Sequence, residues 1–186
     1  MAWAKSELIY CLPGIQAVGV PMNSVVLVPS GDALLLQAAG QVRAGAEQAG
    51  GQASVLHPES KPDLAQFDLV FVGVSSYGLS TRMAALSFAA QFPSNTGRQY
   101  RIFCVHSGNG KKALEDARAL LESKKAVVGA SVLLECKGLL KLFARGSLSE
   151  GELARARAFG ERGASSFLGA KERPANEKLR IPGYRK

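Results

Sequence analysis

Three short stretches of small residues carry most of the chemistry that this chain's residue types allow. The first, Pro29-Ser30-Gly31-Asp32-Ala33, runs straight into a helical pattern. Small residues there let backbone amides approach a phosphate, and the start of a helix favours an anion. The second, Ser75-Ser76-Tyr77-Gly78, follows the apolar run FDLVFVGV and presents one tyrosine, whose ring offers a flat face to a flat ligand. The third, Ser107-Gly108-Asn109-Gly110, is rich in free amides that can grip the polar edges of a heteroaromatic ring. Each stretch alone also reads as a plain surface turn. The elements around them decide what they can do together.

Those elements alternate between strand and helix patterns, which implies a parallel sheet with helices on both faces. The first strand spans 24–28 (SVVLV). A helix over 33–49 follows, with Leu35, Ala38, Ala39, Val42 and Ala46 at helical spacing and Gly50-Gly51 to end it. A short strand covers 53–56, and the third covers 68–72. Its near-continuous apolar run suits a strand covered on both faces, and the Ser75-Ser76-Tyr77-Gly78 turn stops it. A helix over 81–91 presents Met83, Leu86 and Ala90 and breaks at Pro93-Ser94-Asn95. The fourth strand is 101–105, a helix covers 112–123, and the fifth strand is 127–134. Ser149 and Glu152 match a capping box opening the last helix.

Five strands with helical crossovers predict an α/β three-layer sandwich. Its five-stranded parallel sheet has the order 2-1-3-4-5, with a ligand at the switch point between strands 1 and 3. The three small-residue stretches leave the carboxyl ends of strands 1, 3 and 4. One phosphate cradle and two loops around a flat ring describe a mononucleotide site, for which flavin mononucleotide (FMN) is the natural candidate.

Over 24–168 the chain resembles the flavodoxin family. VVLVPSGDALLLQAA is similar to that family's first strand and phosphate loop, usually T-G-N-T or a variant. FDLVFVGVSSYG is similar to its D-L-V-I-x-G-S-P-T-Y segment, and IFCVHSGNGKKALEDARALLE to its fourth strand, loop and helix. SLSEGELARARAFGER resembles the last helix of many flavodoxin-family reductases, and Glu135-Cys136-Lys137-Gly138 resembles a C-[KR]-G step in some of them. The resemblance implies FMN-dependent electron transfer or reduction. Tyr77 would stack on the isoalloxazine within the Ser75, Ser76, Tyr77, Gly78 segment. Ser107, Gly108, Asn109 and Gly110 would contact its pyrimidine side, and Ser30, Gly31, Asp32 and Ala33 would hold the phosphate. The partners implied are a redox protein or a small acceptor such as a quinone. Simple electron transfer requires no side-chain acid or base, so no catalytic residue is named.

The sequence also departs from the pattern. Of the hydroxyls usual in the phosphate loop only Ser30 remains, Ala33 replaces a threonine, and Asp32 replaces a common asparagine. Two like charges about 4 Å apart repel by roughly 1 kcal/mol even in water. Two alternatives therefore stay open. One is a flavodoxin-fold binding or scaffold protein that has lost the flavin. The other is a small-substrate reductase, whose pocket would be shaped by residues 137–146.

Composition narrows the class. The 186 residues favour one domain, and a 47% hydrophobic fraction supports a sizeable core. We expect an N-terminal extension over 1–23, of which residues 1–21 add no sheet strand, and Met22 as a candidate start. The flavodoxin-like domain covers 24–170 and a basic tail 171–186. No window approaches a membrane span, and the apolar stretch at 8–22 lacks the clean run of a signal peptide. Cys11, Cys104 and Cys136 show no CxxC spacing, which argues against a disulfide framework and a metal site and suits reduced thiols in a cytoplasmic protein. The net charge is +8, and half of it comes from the tail, with six basic residues against two acidic ones. With Tyr184 as its one aromatic, the tail reads as a solvated end and not as a nucleic-acid arm. Cys104 reads as core and Cys136 as a buried small hydrophobe. Arg82 reads as a solvated cation. His106 borders the third loop and orients it, and His57 lies in a loop far from the predicted pocket.

Overall fold

The computed structural model describes residues 22–77, 80–91, 98–137 and 147–171. Expectations for 1–21, the basic tail beyond 171, Gly78, the break at 93–95 and the segment 138–146 fall outside these residues. Thirteen named elements follow in order, two of them single 3₁₀ turns at Pro58–Ser60 and Leu64–Gln66. The strands are β1 (Asn23–Leu27), β2 (Gln52–Leu56), β3 (Leu69–Tyr77), β4 (Ser80–Arg82), β5 (Gln99–His106), β6 (Val127–Lys137) and β7 (Ser147–Leu148). The helices are α1 (Ala33–Gln48), α2 (Ala84–Ala89), α3 (Gly110–Ser123) and α4 (Glu150–Lys171).

The parallel core of the sheet runs β2-β1-β3-β5-β6, which is the order 2-1-3-4-5 read from the sequence. β4 adds an antiparallel hairpin to β3, and β7 pairs antiparallel with the end of β6. Every core strand carries apolar side chains on both faces, as a parallel sheet between two helical layers requires. One face packs Val26, Phe71, Phe103 and Val105 against Leu35, Ala38, Ala39 and Val42 of α1 and Ala156, Phe159 and Ala164 of α4. Phe71 meets Phe159 edge to face, with centroids 5.8 Å apart. The other face packs Val70, Val72, Ile102 and Cys104 against α2 and α3 through Ala85, Leu86, Ala113, Ala117 and Leu121.

α1 and α4 approach closely enough to need glycine at the crossing. A Cβ on Gly45 would strike the Arg157 carbonyl, and one on Gly160 would strike the Val42 carbonyl. Both obstacles are backbone, which cannot swing aside. The crossing therefore fixes α1, and with it the loop that precedes α1.

Three expectations need correction. Ser75, Ser76 and Tyr77 are not a turn: β3 continues through Tyr77, which pairs with Ser80 of β4. Hydroxylated and aromatic residues are at home in a strand, and parallel pairing with β5 continues to Ser76 and His106. The helix expected over 81–91 is the six-residue α2, because β4 takes 80–82. The capping box at Ser149 and Glu152 is half formed. The Ser149 hydroxyl accepts from the Glu152 amide at 3.3 Å, but the Glu152 carboxylate accepts from the Glu135 amide of β6 at 3.1 Å instead of reaching back.

Candidate functional site at the carboxyl edge of the sheet

β1, β3, β5 and β6 all end at one edge, and the three sequence-predicted stretches meet there. At the end of β1 the buried Val28 donates its amide to Leu56 at 3.2 Å. Its carbonyl lies 2.8 Å from Nδ1 of His57. A carbonyl only accepts, so Nδ1 carries the proton. His57 therefore clamps the root of the first loop and is not far from the site. Parallel pairing explains the error: Leu27 is level with Leu56, so the residue after β2 reaches the residue after β1.

Beyond Val28 the loop becomes open. Ser30, Gly31 and Ala33 are exposed. A Cβ on Gly31 would meet nothing within 4 Å. Asp32 behaves differently, being 2% exposed. It takes an extended backbone at the N-cap of α1, and its Oδ1 accepts from the Leu35 amide at 3.1 Å. A carboxylate on the first turn of a helix satisfies an orphan donor and meets the positive end of the helix dipole. The Asp32 charge also reaches the far side of the edge. Burial pushes the Cys136 thiol above its usual range, and the Asp32 and Glu135 charges add to the rise. That thiol donates to the His106 carbonyl at 3.1 Å. The Cys104 thiol, buried on the opposite face, is pushed up to about 12 by burial and the Cys136 charge.

Tyr77 is half-buried and packs against the α1/α4 side of the core. Ser75, on the same side of β3, is 1% exposed, and its hydroxyl has no hydrogen-bond partner among the described residues. Ser76 is half-buried, and its carbonyl accepts from the Ser107 amide at 3.2 Å. This bond ties the third loop to the strand that carries Tyr77. Ser107, Gly108 and Asn109 are exposed. The Asn109 side chain does not cap α3, and no acidic residue sits in the first turn. Gly110 is different from its neighbours. It is the first residue of α3 and buried, and a Cβ there would run into the His106 ring. His106 thus acts by packing, and its Nδ1 is buried without a partner among the described residues.

An FMN ligand divides into a ring and a phosphate, and the edge treats them differently. On the ring side, the exposed Gly108 and Asn109 amides are the donors left over, the Ser107 amide being bonded to Ser76. The phosphate fits poorly at α1: Pro29 has no N–H, and Asp32 already places a buried anion at the first turn.

No family model and no curated protein matches the sequence. Solved structures do match the fold. A flavodoxin from the Archaea superposes with a TM-score of 0.59 at 12% identity, covering 79% of this chain and 99% of its own. The two-electron reduced flavodoxin of Megasphaera elsdenii gives 0.56 at 16% identity, covering 77% and 98%. A metal-soaked flavodiiron core from Synechocystis gives 0.63 at 14% identity, covering 80% of this chain and 36% of that one. The chain has a flavodoxin-like fold. Among the described residues no helix is long and apolar enough to cross a membrane.

Proposed function

We propose that this chain works in flavin-linked electron transfer or as a flavin-dependent reductase, with the isoalloxazine ring at the carboxyl edge. FMN is the cofactor that the fold calls for, and the flavin supplies the redox chemistry when bound. The chain's own residues orient it. Tyr77 offers a stacking face, and the exposed Gly108 and Asn109 offer amides to the polar side of the ring. The observation that carries this reading is the 3.2 Å bond from the Ser107 amide to the Ser76 carbonyl, which holds those amides next to the tyrosine strand. A redox protein or a small acceptor such as a quinone would take the electrons. A cytoplasmic setting suits the thiols Cys104 and Cys136, which are free and buried.

A second reading has its own support. A flavodoxin-fold scaffold without flavin would keep the α1 end closed, and Asp32 closes it. The absorbance spectrum of freshly purified protein, followed by equilibrium dialysis against riboflavin and FMN, separates the two. Flavin absorbance, or saturable binding of either ligand, supports the flavin reading. Colourless protein that retains neither ligand leaves the scaffold.

A further inference from the structure

We propose that the site selects a flavin lacking the terminal phosphate, because Asp32 supplies from within the chain the anion that a phosphate would bring. This rests on the flavin reading above and narrows its ligand class.

Anion sites at helix starts need free amides, a favourable dipole and room for negative charge. The α1 end is short of each: an amide is spent, the dipole already meets a carboxylate, and no cation offsets a second charge. The Leu35 amide is already donated to Asp32 Oδ1 at 3.1 Å. Pro29 contributes no N–H, and the segment from Val28 to Leu36 holds no lysine or arginine to offset a second negative charge. The resident carboxylate meets the dipole first, and burial at 2% exposure keeps it from turning out to solvent. A dianionic phosphate brought to this turn would face a like charge with little water between them, where repulsion exceeds its value in bulk solvent. The ring half of the edge carries no such penalty, since exposed amides at 108–109 and the Tyr77 ring are indifferent to what the ribityl chain ends in. The arrangement therefore suits riboflavin and related neutral flavins over FMN.

Fluorescence titration of the full chain with riboflavin and with FMN tests this, at low and at high salt. Wild type should bind riboflavin about tenfold more tightly than FMN at low salt. The gap should narrow as salt screens the repulsion. Asp32→Asn and Asp32→Ser both keep an N-cap acceptor without its charge. Each should bring the two dissociation constants within about twofold of each other. Two variants guard against one failing to fold. FMN binding more tightly than riboflavin in wild type would overturn the inference and leave the flavin reading intact. So would an equal gain for both ligands in the variants. Binding of neither ligand would overturn the flavin reading itself, and the inference with it.

Discussion

α1 and α3 both begin at the carboxyl edge of the sheet, on the last residue of a small-residue loop, yet their first turns are finished in opposite ways. α1 is closed by the buried Asp32, whose carboxylate takes the Leu35 amide. α3 starts at an exposed Asn109 that makes no side-chain cap, and Lys111 and Lys112 occupy its first turn. The positive end of one helix is thus neutralised by the chain, and that of the other is left to solvent. The difference teaches which helix start still offers an unmet positive end at this edge: α3, beside the tyrosine strand, and not α1.

The largest effect should come from how the two helices are held. Gly160 faces the Val42 backbone of α1, whereas Gly110 at the start of α3 faces the His106 side chain. A backbone obstacle cannot yield, and His106, met at its Cβ and Cγ, yields only in part. Gly160→Ala should destabilise by about 3 kcal/mol, and Gly110→Ala by about 1–2 kcal/mol, read as shifts in urea midpoint. Equal losses would mean that α1 is no more rigidly seated than α3.

The caps themselves come next. Asp32→Ala should cost about 1–2 kcal/mol, the value of an N-cap side chain, while Asn109→Ala should cost less than about 0.5 kcal/mol. Comparable losses at both positions would erase the contrast between the two turns.

A smaller effect concerns charge. Cys136 lies above the usual thiol range through burial first, then through the Asp32 and Glu135 charges. A raised thiol stays protonated near neutral pH and becomes reactive only as pH climbs. Asp32→Asn removes one of the charges, so the inflection in the pH–rate profile for alkylation of Cys136 should move to lower pH. Cys104, on the α2/α3 face at about 12, should not follow. The profile is best measured in a Cys11→Ser background. An unmoved inflection would separate Asp32 from the far side of the edge.

Much of this fold was legible in the sequence, for identifiable reasons. Strands such as 68–72 sit between two helical layers and so read as unbroken apolar runs, and α1 reads at helical spacing through Leu35, Ala38, Ala39 and Val42. The order of five strands follows from that alternation. The gathering of the three small-residue stretches at one edge was legible too, because it follows from the strand order. What escaped depended on contacts between distant residues. Ser75 and Ser76 look like a turn until β4 pairs with them. His57 looks remote until parallel pairing sets it 2.8 Å from the Val28 carbonyl. Asp32 reads from the sequence as part of a phosphate loop, and its burial as the N-cap of α1 depends on how that helix docks.

The most direct measurement is hydrogen exchange of the full chain with and without saturating riboflavin. The account predicts new protection in peptides covering 107–110 and Tyr77, and none in the peptide covering 30–36, where the Leu35 amide is already bound by Asp32. Protection appearing at 30–36, or failing to appear at 107–110, would contradict it.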